Sequence, residues 1–150
     1  MTFHLAQANV ARMRFPIDHP AMESFRVQLA PINALADQAP GFVWRLQTAE
    51  GDSTAIRVFD DPLVLFNMSV WASAEALYDY TYKSGHIALL RGRAEWFERP
   101  AGPSLVMWWI PAGTLPTIED AKGKFDRLAA IGPTAEAFTF KSQFPPPSAG

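Results

Sequence analysis

The chain has 150 residues, 49% apolar and 13% aromatic, with 13 Lys and Arg against 15 Asp and Glu for a net charge of −2. That length suits one domain whose core needs no covalent staples, and the lack of Cys excludes disulfides, thiolate zinc sites, iron–sulfur clusters and cysteine nucleophiles. The mixed signs leave no footprint for nucleic acid. The start Met1-Thr2-Phe3-His4-Leu5 lacks a basic region and a long apolar region, and no run approaches the ~18 apolar residues of a membrane span, so a soluble, cytoplasmic protein without membrane or nucleic-acid partners is expected.

Residues 3–12 predict a strand, with Phe3, Leu5, Gln7 and Asn9 on one face and His4, Ala6, Ala8 and Val10 on the other. Asp18-His19-Pro20 opens a helix whose Met22, Phe25, Leu29, Ile32 and Leu35 recur at helical spacing; Pro31 is expected to kink it and Ala39-Pro40-Gly41 to end it. A strand over 42–47 leads to a polar turn at Glu50-Gly51-Asp52-Ser53. The strand at 63–71 divides into Val64, Phe66, Met68, Val70 and Leu65, Asn67, Ser69, Trp71.

Ser73 is placed to cap a helix over 74–82, which breaks at Ser84-Gly85 and resumes from His86 to about Ala94. A strand follows at 105–110, and Thr117 with Asp120 predicts the cap of a last helix closed by Gly132-Pro133. Residues 137–140 make a short final strand. The domain is expected to span 1–143, with a Pro-rich tail at 144–150 too poor in apolar residues to fold alone.

Two consecutive βαβ units of this order predict an α+β, ferredoxin-like sheet with its crossover helices on one face, plus an added C-terminal helix and short strand. If the alanine-rich face of the first strand lies under the helices, the face bearing Leu5, Gln7, Asn9, Leu65, Asn67, Ser69 and Trp71 is left open. So apolar a face implies a homodimer built sheet to sheet, with a polar-flecked cavity in each subunit.

The run Val70-Trp71-Ala72-Ser73-Ala74-Glu75-Ala76-Leu77, with Tyr82, Ser84 and His86-Ile87-Ala88-Leu89-Leu90, resembles the dimeric α/β-barrel superfamily that includes the antibiotic-biosynthesis and haem-degrading monooxygenases. Gly85-His86, the stretches 91–97, 108–113 and 116–121, Gly132-Pro133-Thr134 and 137–140 are similar to a bacterial and fungal family, domain of unknown function 3291, over nearly the whole chain. The superfamily resemblance implies a pocket for a hydrophobic, aromatic or polyketide-like molecule, and possible chemistry of the cofactor-independent monooxygenase kind. His86, Asn67 and Asn9 are then the candidate catalytic groups: an imidazole can move a proton, and amides can hold an oxyanion. Trp71, Tyr82, Leu65, Gln7, Trp44 and Trp109 complete the expected lining. Which of Trp108 and Trp109 faces the cavity stays open, because neighbours along a strand point to opposite sides.

Two other readings stand beside this one. The haem degraders of the superfamily use an Asn, a Trp and an axial His in the order shown here by Asn9, Trp71 and His86, although the Trp-to-His separation is longer in this chain; His86 would then bind haem. The same cavity could instead serve a non-catalytic ligand-binding dimer. No metal is expected, since His4, His19 and His86 lack partners at ligand spacing.

Overall fold

The computed structural model describes residues 2–47, 59–84 and 86–147. The expected turn at Glu50-Gly51-Asp52-Ser53, the break residue Gly85 and the end of the tail lie outside the described residues. In chain order the elements are β1 (Phe3–Arg12), a short 3₁₀ turn (Pro20–Met22), α1 (Glu23–Asp37), β2 (Phe42–Arg45), β3 (Val64–Trp71), α2 (Ala74–Lys83), α3 (Ile87–Trp96), β4 (Leu105–Pro111) and α4 (Ile118–Ile131). The strands form one antiparallel sheet in the order β2-β3-β1-β4, the split βαβ arrangement expected from the sequence.

Local signals act where they were read. His19 Nδ1 accepts from Ala21 N at 3.0 Å at the helix entrance, and Ser73 Oγ accepts from Ala76 N at 3.1 Å to start α2. Thr117 and Asp120 form a reciprocal capping box on α4. α1 runs through Pro31, whose ring sits on the exposed side. Between α1 and β2, Gly41 has φ +82°, and a Cβ there would stand 2.5 Å from that of Ala76. Only glycine lets the turn and α2 approach so closely.

Both sheet faces are covered within the single chain. Ala36 of α1 and Leu77 of α2 pack on Leu5, Trp71 and Met107, and Phe25 of α1 packs with Trp96 of α3 on Met13 and Leu65. On the opposite face, Ala121 and Leu128 of α4 join Ala6, Ala8, Phe66, Met68, Val70, Val106 and Trp108. Burying each of the larger side chains there contributes about 1.5–3 kcal/mol.

The two faces are therefore exchanged relative to expectation. The mixed face with Gln7, Asn9 and Asn67 lies under α1–α3, and the alanine-rich face is closed by the C-terminal helix. Alternation separates two faces but does not say which one the right-handed crossovers will cover.

After α4 the chain returns along the free edge of β4. Phe138 exchanges backbone hydrogen bonds of 2.8 and 2.9 Å with Met107, so the expected last strand is present as a bridge. The docked stretch extends to Phe144, whose carbonyl accepts from Trp109 Nε1 at 2.9 Å and whose ring lies against Phe138.

Candidate functional site

The register of the strands arranges the α1–α3 face in transverse rows. Phe42, Trp71, Leu5 and Trp109 form an aromatic row. Arg45, Ser69, Gln7 and Met107 form the next, and Asn67, Asn9 and Leu105 the one after. Leu65 opposite Ala11 closes the series. A polar band thus crosses the middle of an otherwise apolar face, and of the residues in these rows only Arg45 is ionisable.

Gln7, buried at 4% exposure, is the hub of the band. Its Nε2 donates to Ser69 Oγ at 2.7 Å and to Asn67 Oδ1 at 3.0 Å, while its Oε1 accepts from Asn9 Nδ2 at 3.0 Å. Asn9 Nδ2 also reaches Asn67 Oδ1 at 3.3 Å, and Trp71 Nε1 donates to Ser69 Oγ at 2.8 Å. These bonds consume the inner edges of the two asparagine amides. Their outer edges, Asn67 Nδ2 and Asn9 Oδ1, make no hydrogen bond among the described residues, and neither atom is sealed from solvent. A donor and an acceptor on directly paired residues are therefore presented side by side.

An aromatic stack leads away from the band. Tyr80 of α2 stacks on Trp71 with ring centroids 5.0 Å apart, and the His86 ring meets Tyr80 at the same separation. Burial pushes the Tyr80 phenol up to about 12, so it is neutral at physiological pH. Burial also pulls His86 below its ordinary value, against an opposing contact between its Nδ1 and the Thr81 carbonyl at 3.2 Å. At the β2 end of the polar band, Arg45 bonds Asp37 at the end of α1, with Nε–Oδ1 at 2.7 Å and Nη2–Oδ2 at 3.2 Å.

The expected site residues divide accordingly. Gln7, Asn9, Asn67, Leu65, Trp71 and Trp109 share the face under α1–α3, and Trp108 is buried on the other one. Trp44 also points away from the amides, because an irregularity between Phe42 and Trp44 turns it toward Val70 and the α4 side. Tyr82 lies on the outer surface of α2, 43% exposed and packed with Tyr78 on Phe140. His86 joins the aromatic stack rather than the amide band. Ser69, Tyr80 and Arg45 went unassigned in the sequence: Ser69 falls on the right face by alternation, whereas the inward positions of Tyr80 and Arg45 depend on packing.

The band offers binding and orientation more than proton transfer, since amides neither take nor release protons near neutral pH. Haem does not fit the residues suggested for it. A porphyrin ligated by His86 and resting on Trp71 would need the place of Tyr80, which contacts both rings. A cleft of about 820 Å³ lies between the end of α1 and α2, with Leu35, Ala39, Pro40, Ala76 and Tyr80 among its walls. A second, of about 330 Å³, lies near Arg12 and residues 98–104. No helix among the described residues is long and apolar enough to cross a membrane.

The sequence signature of a family described as a domain of unknown function, DUF3291, matches residues 4–150. No curated protein matches the chain. Among solved structures, it is similar to a protein of unknown function from Nitrosomonas europaea, at 17% identity and TM-score 0.50, covering 77% of this chain and 97% of that one. It is also similar to SnoaB, a cofactor-independent oxygenase from Streptomyces nogalater, at 17% identity and TM-score 0.46, covering 76% of this chain and 98% of the other. At such identities the likeness is one of fold.

Proposed function

The chain belongs to the DUF3291 family, and we propose that the amide band under α1–α3 binds a hydrophobic, aromatic or polyketide-like molecule through a phenolic or enolic oxygen, in the manner of a cofactor-independent monooxygenase-like protein. The carrying observation is the pair of outward amide edges, Asn67 Nδ2 and Asn9 Oδ1, held in place by Gln7. A preorganised donor of this kind stabilises negative charge on a ligand oxygen, and the neighbouring acceptor selects a hydroxyl over an ether. Trp71 supports the band from behind: its indole N–H goes to Ser69 Oγ and its ring is buried against Tyr80 and Phe42.

The test is a titration with alizarin, a hydroxyanthraquinone whose colour reports its ionisation, on the wild type and Asn67→Leu, together with oxygen uptake on phenolic and polyketide-like compounds. Saturable alizarin binding that Asn67→Leu weakens supports the site; equal binding by both proteins removes it. Oxygen uptake separates an enzyme from a carrier.

A homodimer is part of the same proposal, under a condition set by α4. With the alanine-rich face closed inside one chain, two copies must meet elsewhere or exchange that helix. Light scattering at micromolar concentration tests pairing, and a monomer there would sink the dimer.

A further inference from the structure

α1 is apolar on both of its long sides. Phe25, Leu29 and Ala36 pack inward, yet Val27, Ala30, Pro31, Ala34 and Leu35 are exposed on the outer side, and no charged residue occurs from Val27 to Ala36. Exposure reaches 63% at Val27 and 39% at Leu35. α2 is unlike it, with Glu75, Asp79 and Lys83 spaced one turn apart. A helix that is apolar inside and out, with only Gln28 and Asn33 between, belongs in an interior. The outer strip continues past the end of α1, where Leu35, Ala39 and Pro40 wall the cleft against α2.

The charges that bound the strip decide what it fits. Arg26 and Asp37 are eleven residues apart, which is three helical turns and about 20°, so they lie on one flank at opposite ends. When two copies of a helix pair antiparallel across a two-fold axis, like flanks face each other. Arg26 of each copy then meets Asp37 of the other, so the contact forms twice. Both groups are available: Arg26 donates to the carbonyls of Ile17 and His19 and makes no ion pair among the described residues, and the Asp37 side chain stays 45% exposed beside Arg45. The same register sets Val27 against Leu35, Ala30 against Ala34 and Pro31 near the axis. Small residues at the centre allow the helix axes to approach to about 8–10 Å, and the antiparallel dipoles attract.

We propose that the outer face of α1 is the homodimer surface, with two copies packed antiparallel about a two-fold axis near Pro31 and Arg26 facing Asp37 at both ends. Such an interface is self-complementary, as two-fold symmetry requires. The inference rests on the homodimer proposed above and names where it forms; the alanine-rich sheet face does not serve while α4 covers it.

The experiment is sedimentation velocity at micromolar concentration on the wild type, Ala30→Lys, Ala34→Glu and an equimolar mixture of the two variants. Both positions are exposed and both replacements suit a helix, so circular dichroism should show the fold retained. The wild type should sediment as a dimer. Each variant alone should raise the dimer Kd at least about tenfold, because it brings unmatched charge into the contact. The mixture should recover the dimer, since the antiparallel register sets the new cation of one chain opposite the new anion of the other. A wild-type monomer overturns the homodimer and the inference with it. A wild-type dimer that neither variant weakens overturns the inference alone and leaves a dimer formed elsewhere or by exchange of α4. Variants that dissociate without recovery on mixing overturn the antiparallel pairing.

Discussion

Replacing Asn67 with Leu should separate the structural role of the amide band from its role toward a ligand. Asn67 Oδ1 accepts from Gln7 Nε2 at 3.0 Å and from Asn9 Nδ2 at 3.3 Å. Both donors keep a second acceptor, Ser69 Oγ at 2.7 Å and Gln7 Oε1 at 3.0 Å. Each amide nitrogen keeps one hydrogen bond, but one N–H of the buried Gln7 Nε2 loses its acceptor, so the loss of stability should be about 1–3 kcal/mol, at roughly 2–4 °C in Tm per kcal/mol for a domain of this size. Binding should suffer as well. In the proposed complex the Nδ2 donor serves an anionic oxygen, and a hydrogen bond to a charged group is worth about 1.5–3 kcal/mol, which corresponds to about 10- to 150-fold in Kd. Urea unfolding and alizarin titration on one preparation measure the two effects. Gln7→Leu is the informative comparison: it removes three hydrogen bonds and should cost about 2 kcal/mol in stability. If Asn67→Leu shifts unfolding as expected but changes Kd by less than about threefold, the band only stitches β1 to β3 and the reasoning from its outer edges fails.

Three further outcomes follow from particular contacts. Gly92→Ala would set a Cβ 2.5 Å from Cη2 of Trp96, whose indole is buried and donates to Ser24 Oγ at 2.8 Å. Overpacking of about 1–3 kcal/mol should outweigh the ~1 kcal/mol helix preference for Ala, and a stabilised variant in urea would contradict this. Thr117→Ala removes one half of the α4 capping box and should cost about 1 kcal/mol, visible as a lower Tm; no change would mean that packing of α4 on the sheet holds its first turn unaided. His86 has a folded pKa below its unfolded value of about 6.5, so its neutral form contributes stability that is present above that pH and lost as pH falls through the folded value. His86→Gln should flatten the acid limb of a stability–pH curve, and an unaltered limb would place the responsible proton on another group.

How far the sequence reached depends on the range of the interaction concerned. Period-two alternation in β1 and β3, the cap residues Ser73 and Thr117, and the order of the elements are local properties, and they were enough to specify a ferredoxin-like sheet and to put Gln7, Asn9, Asn67 and Trp71 on one face. Alternation says nothing of what covers that face. The assignment was settled by crossover handedness together with the return of α4 across the opposite side, where Ala121 and Leu128 close over Phe66 and Met68. Helical spacing aligns Tyr78 with Tyr82 and sets Tyr80 apart, but only the docking of α2 on Trp71, with Phe140 covering the other side, turned Tyr80 inward. The same holds for the polar band itself. Gln7 and Ser69 are 62 positions apart in the chain, Arg45 joins them through the register of an edge strand, and Asp37 reaches Arg45 from the end of a helix. Residue types and faces were written in the sequence, whereas the juxtapositions that give them chemistry required strands distant in sequence to pair and helices to settle on them.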